Sequence, residues 1–283
     1  MNFIENKTFD AERALYAVQN LELRGCVFDG PADGESALKE CENITAAKCV
    51  FNLRYPFWHN NGVHINGSEL TENCRSALWY SKHIEIKNTR IHGIKALREC
   101  RDIKLIDCDI VSSEFGWFSK NIVLNDCMVQ SEYFMLRAEN IMLENVQFSG
   151  KYSFQYIKNA VFENCIFNTK DAFWHAENVV VKNSVVNGEY LAWYSNNITF
   201  ENCKITGTQP LCYCKGLRLV NCKMENTDLC FEKSEVKAVI TSRVASIKNP
   251  LSGYIELPYS GEIIMDDERG GAVICLKNKC CCA

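Results

Sequence analysis

All five tryptophans of the chain, Trp58, Trp79, Trp117, Trp174 and Trp193, stand four residues ahead of the start of one recurring phrase. The column beside them holds Tyr80, Glu99, Tyr156, His175, Tyr194 and Tyr213, with Glu40, His59, Phe118, Arg137 and Glu232 filling the remaining copies. Lys39, Arg98 and Gln155 share the tryptophan column, and such groups are not buried unpaired, so part of that column must face solvent. Flat indole, phenol and imidazole rings next to carboxylates and bases are suited to binding sugars. On a stacked-strand scaffold the rings would recur every ~4.8 Å, which roughly matches the advance of a sugar unit in a polysaccharide. The alternative is that the rings stack on one another and only stabilise the scaffold.

Other chemistry has thinner support. Acid–base hydrolysis needs carboxylates converging on one bond, and Glu35, Glu40 and Glu99, with Glu114, Glu132, Asp171 and Glu189 at nearby bends, carry no motif that singles out a pair. His59 and His175 are far apart in the repeat, and His64, His83 and His92 lie in other columns, so no histidine metal centre is expected. Cys212 and Cys214 with Cys230 form the one local thiol group, and two of the three occupy core columns. There is no glycine-rich phosphate loop. Neither a metal nor a cofactor is expected, and no catalytic residue is assigned.

The elements that position these columns follow from the repeat. A turn residue followed by alternating aliphatics recurs every 19 residues from His83 to Glu235, and the same phrase starts upstream at Asn20, Asn43 and Gly62. Ile84, Ile103, Ile122, Ile141 and their equivalents fall one residue in, Ile86, Leu105, Leu124 and Leu143 three in, with a variable residue between. Period-two alternation reads as a strand with one face buried. Asn or Asp at the fifth position marks a bend, because these residues tolerate left-handed backbone. Two further short apolar stretches complete a triangular coil of three strands. A fixed period near twenty means a solenoid, and parallel connections are right-handed. The expected fold is all-β, a single right-handed parallel β-helix of about 11–12 coils with a 19-residue repeat. Residues 1–19 are read as an N-terminal cap and first partial coil, 20–243 as repeat coils, and 244–283 as a C-terminal cap and tail. Recurring asparagines at the bends are expected to hydrogen-bond along the stack in ladders.

Composition narrows the setting. The chain has 283 residues, a net charge of −4 and 17 cysteines. That charge gives no footprint for nucleic acid or an anionic membrane, and no apolar run approaches a membrane span. The first residues lack the apolar core of a secretory signal. Cys26, Cys49, Cys108, Cys127, Cys165, Cys203 and Cys222 share one repeat position with Ser68, Thr89, Val146, Ser184 and Thr241. They read as small core residues and reduced thiols in a cytoplasmic protein. The tail Cys280–Cys282 is expected to be an exposed end rather than a prenylation or metal site.

The phrase Ala77-Leu78-Trp79-Tyr80-Ser81-Lys82-His83-Ile84, echoed at Leu191-Ala192-Trp193-Tyr194-Ser195-Asn196-Asn197-Ile198, together with Gly34-Glu35-Ser36-Ala37-Leu38, resembles the domain of unknown function 3737. The resemblance covers nearly the whole chain. It implies a pectin-lyase-like right-handed β-helix and brings no established activity. Signatures of enzymes in the wider class do not carry over: His92-Gly93 lacks the first glycine of a Gly-His-Gly, and Asn226-Thr227-Asp228 lacks its partner aspartates.

The resulting expectation is a non-catalytic binder of an extended carbohydrate-like ligand. Its site would be Trp58, Trp79, Tyr80, Arg98, Glu99, Trp117, Tyr156, Trp174, His175, Trp193, Tyr194 and Tyr213. The alternatives are a polysaccharide lyase or glycoside hydrolase without the familiar motifs, and a structural or protein-interaction scaffold. A carbohydrate is the partner expected, with neither nucleic acid nor membrane; the oligomeric state is left open.

Overall fold

The computed structural model describes residues 2–30 and 35–277. Gly34 and the Cys280–Cys282 tail lie outside the described residues. The chain is a parallel β-solenoid of about 14 turns with a repeat near 19 residues, and no helix occurs among the described residues. It divides into two compact units, Met1–Gln147 and Phe148–Ala283.

In the first unit the alternating phrase forms the long strand of each coil, as at Lys82–Lys87, Arg101–Ile106 and Lys120–Asn125. Successive strands pair in parallel with no slip: Ile84 faces Ile103, which faces Ile122, which faces Ile141. These side chains are at most 2% exposed, so burial of one face fixes the register; a one-residue slip would turn every aliphatic outward. A second, shorter strand follows the bend, as at Arg90–Ile91 and Asp109–Val111.

The second unit repeats the plan with Lys158–Glu163, Glu177–Lys182 and Asn196–Glu201. Phenylalanines dominate its core: Phe154 lies 5.0 Å from Phe173 and nearly parallel to it, with Phe162 and Phe167 against both. In the closing region, read as a cap, strands form at Ser252–Leu257, Ser260–Ile264 and Val273–Leu276. They pair in parallel with the strands before them, so the closing segment goes on coiling. At the front, Asn2–Glu5 pairs with Gln19–Arg24. Both ends therefore contribute turns beyond the eleven or twelve read from the repeat.

The third side of the coil differs from expectation. It is a strand at Leu78–Trp79 and Leu97–Arg98, and again in the closing coils at Val244–Lys248 and Ser260–Ile264; elsewhere among the described residues it is a turn-rich arc. The reason is backbone handedness. Alternate residues adopt left-handed φ, as in Asp171 (53°), Phe173 (62°) and His175 (54°), which curls the chain. The amides still bond to adjacent coils: Asp171 N donates to Glu189 O, Phe173 N to Ser153 O and His175 N to Trp193 O, at 2.9–3.0 Å.

The cysteine position also gains a sharper explanation. Each described thiol there is buried and, in the copies at Cys49, Cys108, Cys127, Cys165 and Cys203, points at the carbonyl two residues earlier, 3.2–3.4 Å away. Ser68 and Thr89 donate to the same carbonyl. The position selects a small side chain that can also satisfy a buried bend carbonyl. The asparagine ladders form as expected: Asn197 Nδ2 donates to Asn178 Oδ1 at 2.8 Å and Asn178 Nδ2 to Asn159 Oδ1 at 3.2 Å.

Candidate functional site

The tryptophan column lies on the left-handed arc, where each ring precedes a residue with positive φ. Trp58, Trp79, Trp117, Trp174 and Trp193 are half-buried, and the next residue in each coil, His59, Tyr80, Phe118, His175 or Tyr194, is exposed with φ between 54° and 61°. The arc thus alternates an inward apolar residue, a ring lying along the surface and a ring projecting from it.

In the first unit the structure brings together Trp58, Trp79, Tyr80, Arg98, Glu99 and Trp117. Lys39 Nζ lies 4.7 Å above the Trp58 ring, Trp58 stacks on Trp79 at 6.0 Å, and the Arg98 guanidinium sits 5.1 Å from Trp79 and 5.4 Å from Trp117. Indoles and cations therefore share one column, which explains how long charged side chains occupy tryptophan positions: their charge faces the negative ring face. Glu99 accepts from Arg98 Nε at 3.4 Å and Trp79 Nε1 at 3.5 Å. Two residues that the expected site omitted extend this surface, Tyr16 in the indole column and Glu40 in the column beside it. Glu40 accepts a hydrogen bond from the Tyr16 hydroxyl, which together with the nearby Lys39 and His59 charges holds its carboxyl below the usual range. Tyr16 stands four residues before Asn20, and that spacing was the available signal.

In the second unit the structure brings together Tyr156, Trp174, His175, Trp193, Tyr194 and Tyr213. Tyr156, His175, Tyr194 and Tyr213 stack in sequence with centroids 4.7, 5.1 and 4.8 Å apart and planes within 14° of parallel. Beneath them Trp174 and Trp193 stack at 5.4 Å and 4°. Each indole nitrogen is anchored to a backbone carbonyl of the next coil, Trp174 to Tyr190 at 2.6 Å and Trp193 to Gln209 at 2.8 Å. Tyr213 leans toward Glu232, which is ion-paired to Lys248 at 3.1 Å; burial and the Glu232 charge both push the phenol pKa up.

In the second unit the rings take the alternative arrangement, stacking on one another. His175 and Tyr194 each have a ring on both sides. Stacking along the coil direction satisfies the faces, because the ~4.8 Å rise is close to a favourable ring separation. What such a stack leaves to solvent is the ring edge, with its phenol oxygen or imidazole nitrogen.

The carboxylates do not converge on this surface. Glu40 and Glu99 are separated by the coils of His59 and Tyr80, three rises or ~14 Å, whereas glycosidase pairs stand about 5–9.5 Å apart. Glu35 pairs with Arg54, Glu114 with Lys95 and Glu189 with Lys170, at 3.0–3.4 Å. Asp171 is buried; desolvation raises its pKa, against the opposing charge of Lys170. Away from the rings, His92 Nε2 lies 2.9 Å from Asp109 Oδ2, with Glu72 and Arg90 near its other nitrogen. A two-residue lengthening of the preceding coil brings Glu72 there. No group of three or more His, Cys, Asp or Glu among the described residues is arranged to hold a metal ion.

Comparison with known proteins adds a family. Solved structures with some likeness include the A-module of mannuronan C-5 epimerase AlgE4 from Azotobacter vinelandii, at 10% identity over 95% of this chain and 86% of that one, with a TM-score of 0.34. The tailspike protein of E. coli bacteriophage HK620 aligns at 8% identity over 88% of this chain and 60% of its own, with a TM-score of 0.32. Likenesses this distant say nothing of the chain's chemistry. No curated protein matches the sequence. The family described as Protein of unknown function (DUF3737) matches residues 2–276, and the chain belongs to it.

Proposed function

We propose that the protein is a non-catalytic binder of an extended carbohydrate-like ligand, read along the outer edge of Tyr156, His175, Tyr194 and Tyr213. The observation that carries this reading is the stack of four rings at 4.7–5.1 Å intervals whose faces are mutually covered. Its exposed edge repeats a phenol or imidazole polar group once per coil, and a sugar chain presents hydroxyls at a comparable interval. Trp174 and Trp193 form the floor that fixes the row. Trp58, Trp79, Tyr80, Arg98, Glu99 and Trp117 form the corresponding surface of the first unit. Buried cysteines that form no disulfide among the described residues favour a reducing, cytoplasmic setting.

The same stacking supports a second reading, a scaffold whose rings hold the coil together without a ligand. Titration separates the two. A panel of neutral and acidic oligosaccharides, followed by tryptophan fluorescence and calorimetry, should give saturable binding that tightens with chain length. Tyr194→Phe, which keeps the stack and removes one hydroxyl, should weaken binding about two- to tenfold, the worth of one hydrogen bond. A flat response across the panel rejects the binding reading and leaves the scaffold.

A further inference from the structure

The asparagine ladder of the second unit stops at Gly216, and a recess of about 380 Å³ opens where it stops. Asn159, Asn178 and Asn197 occupy the preceding copies of that position. Backbone geometry does not demand glycine there. Gly216 has φ 63°, close to the 56° and 55° of Asn178 and Asn197. A Cβ at Gly216 would meet nothing nearer than Asn197 N at 3.6 Å, an ordinary contact. By contrast, Gly253 on the far wall has φ 100°, and a Cβ there would collide with Val236 O at 1.9 Å. The missing side chain at Gly216 therefore serves no steric need and leaves space.

The charges around that space are unbalanced. Arg218 and Lys237 line the recess and are direct partners in the parallel register, so two cations stand one above the other on adjacent rungs. Like charges directly opposite are destabilising. Their own outer neighbours are neutral, Thr199 before Arg218 and Tyr254 after Lys237. Glu235 is the one carboxylate in the lining, and it forms no ion pair with either cation among the described residues. Elsewhere in the same column a carboxylate meets a cation: Glu85 is the direct partner of Lys104.

We propose that this recess is a binding site for an oxyanion, seated between the Arg218 guanidinium and the Lys237 ammonium in the space Gly216 leaves. A planar guanidinium offers paired donors to carboxylate, sulfate or phosphate oxygens, and the ammonium adds a point charge. An anion there would relieve the repulsion between the rungs. The site is independent of the aromatic row, and its test does not involve those rings.

Calorimetric titration of the full chain at low ionic strength with sodium phosphate, sodium sulfate and sodium glucuronate checks it. At least one should bind saturably at one site per chain. Arg218→Gln and Lys237→Gln should each weaken that binding tenfold or more. Gly216→Asn should do the same by refilling the recess, while melting no lower than the wild type because it extends the ladder. Binding of phosphate or sulfate but not glucuronate identifies a tetrahedral ion; the reverse identifies a carboxylate. No saturable binding of any of the three overturns the proposal, as does binding that the Arg218→Gln/Lys237→Gln double variant or Gly216→Asn leaves unchanged.

Discussion

Trp174 lies flat on Trp193, with centroids 5.4 Å apart and planes 4° from parallel. Each indole nitrogen donates to the backbone of the coil that follows. The pair is therefore tied both face to face and edge to backbone. Trp193→Ala should cost roughly 2–4 kcal/mol, because it removes a large half-buried ring and a stacking partner. Trp193→Phe keeps the stack and loses only the bond to Gln209 O, so about 1 kcal/mol is expected. Denaturant midpoints of the two variants check the order; equal losses would mean the ring face contributes nothing.

Arg98 sits between Trp79 and Trp117 and bonds Glu99. Arg98→Ala should destabilise by about 1–2 kcal/mol through its cation–ring contacts with Trp79, Trp117 and Phe118. Arg98→Lys should recover only part of this, since an ammonium cannot lie flat between two rings. Melting temperatures across the series report it, and full rescue by lysine would discount the planar contact.

Asn178 is both a ladder rung and a left-handed residue, at φ 56°. Asn178→Ala loses two amide bonds and strains the backbone, at a cost of roughly 2–3 kcal/mol. Asn178→Gly removes the same bonds but accepts the conformation, so it should be the milder change. Alanine proving no worse than glycine would show that the handedness of this position carries no cost.

Burial raises the Asp171 pKa in the folded chain, with Lys170 opposing and Glu189 adding to the effect. The folded state therefore holds this proton more tightly than the unfolded one. The stability it confers is present below the unfolded pKa, about 3.9, and is lost as pH rises through the raised folded value. Asp171→Asn should melt above the wild type at pH 7, with the gap closing as pH falls below the unfolded pKa. A gap independent of pH would place the effect elsewhere.

The buried thiols should be inert. Burial pushes Cys41 and Cys49 up to about 11 and Cys100, Cys212 and Cys214 up to about 12, while Cys275 is exposed. In a C280S/C281S/C282S variant, native alkylation followed by mass spectrometry should find Cys275 modified alone, and all fourteen remaining cysteines modified in denaturant. Fast native labelling at Cys212 or Cys214 would contradict the burial described above.

The repeat spacing alone determined much of this molecule. Alternating Ile84, Ile86 and their copies can bury one face only as a strand, and a constant 19-residue interval lets every coil reuse one register. Family membership and the ring columns at Trp79, Tyr80, Trp193 and Tyr194 were legible for the same reason. What spacing could not convey was direction within a column. A ring three residues before a coil start could as well have turned its face outward; left-handed φ at His175 and Tyr194 laid the faces on one another instead. Nor could it convey which charges meet across rungs. Arg98 between two indoles, and Arg218 over Lys237 beside Gly216, arise only when residues about 19 apart in sequence are brought within one strand spacing. Local pattern sets which side chain each rung carries, and stacking of the rungs sets what that side chain touches.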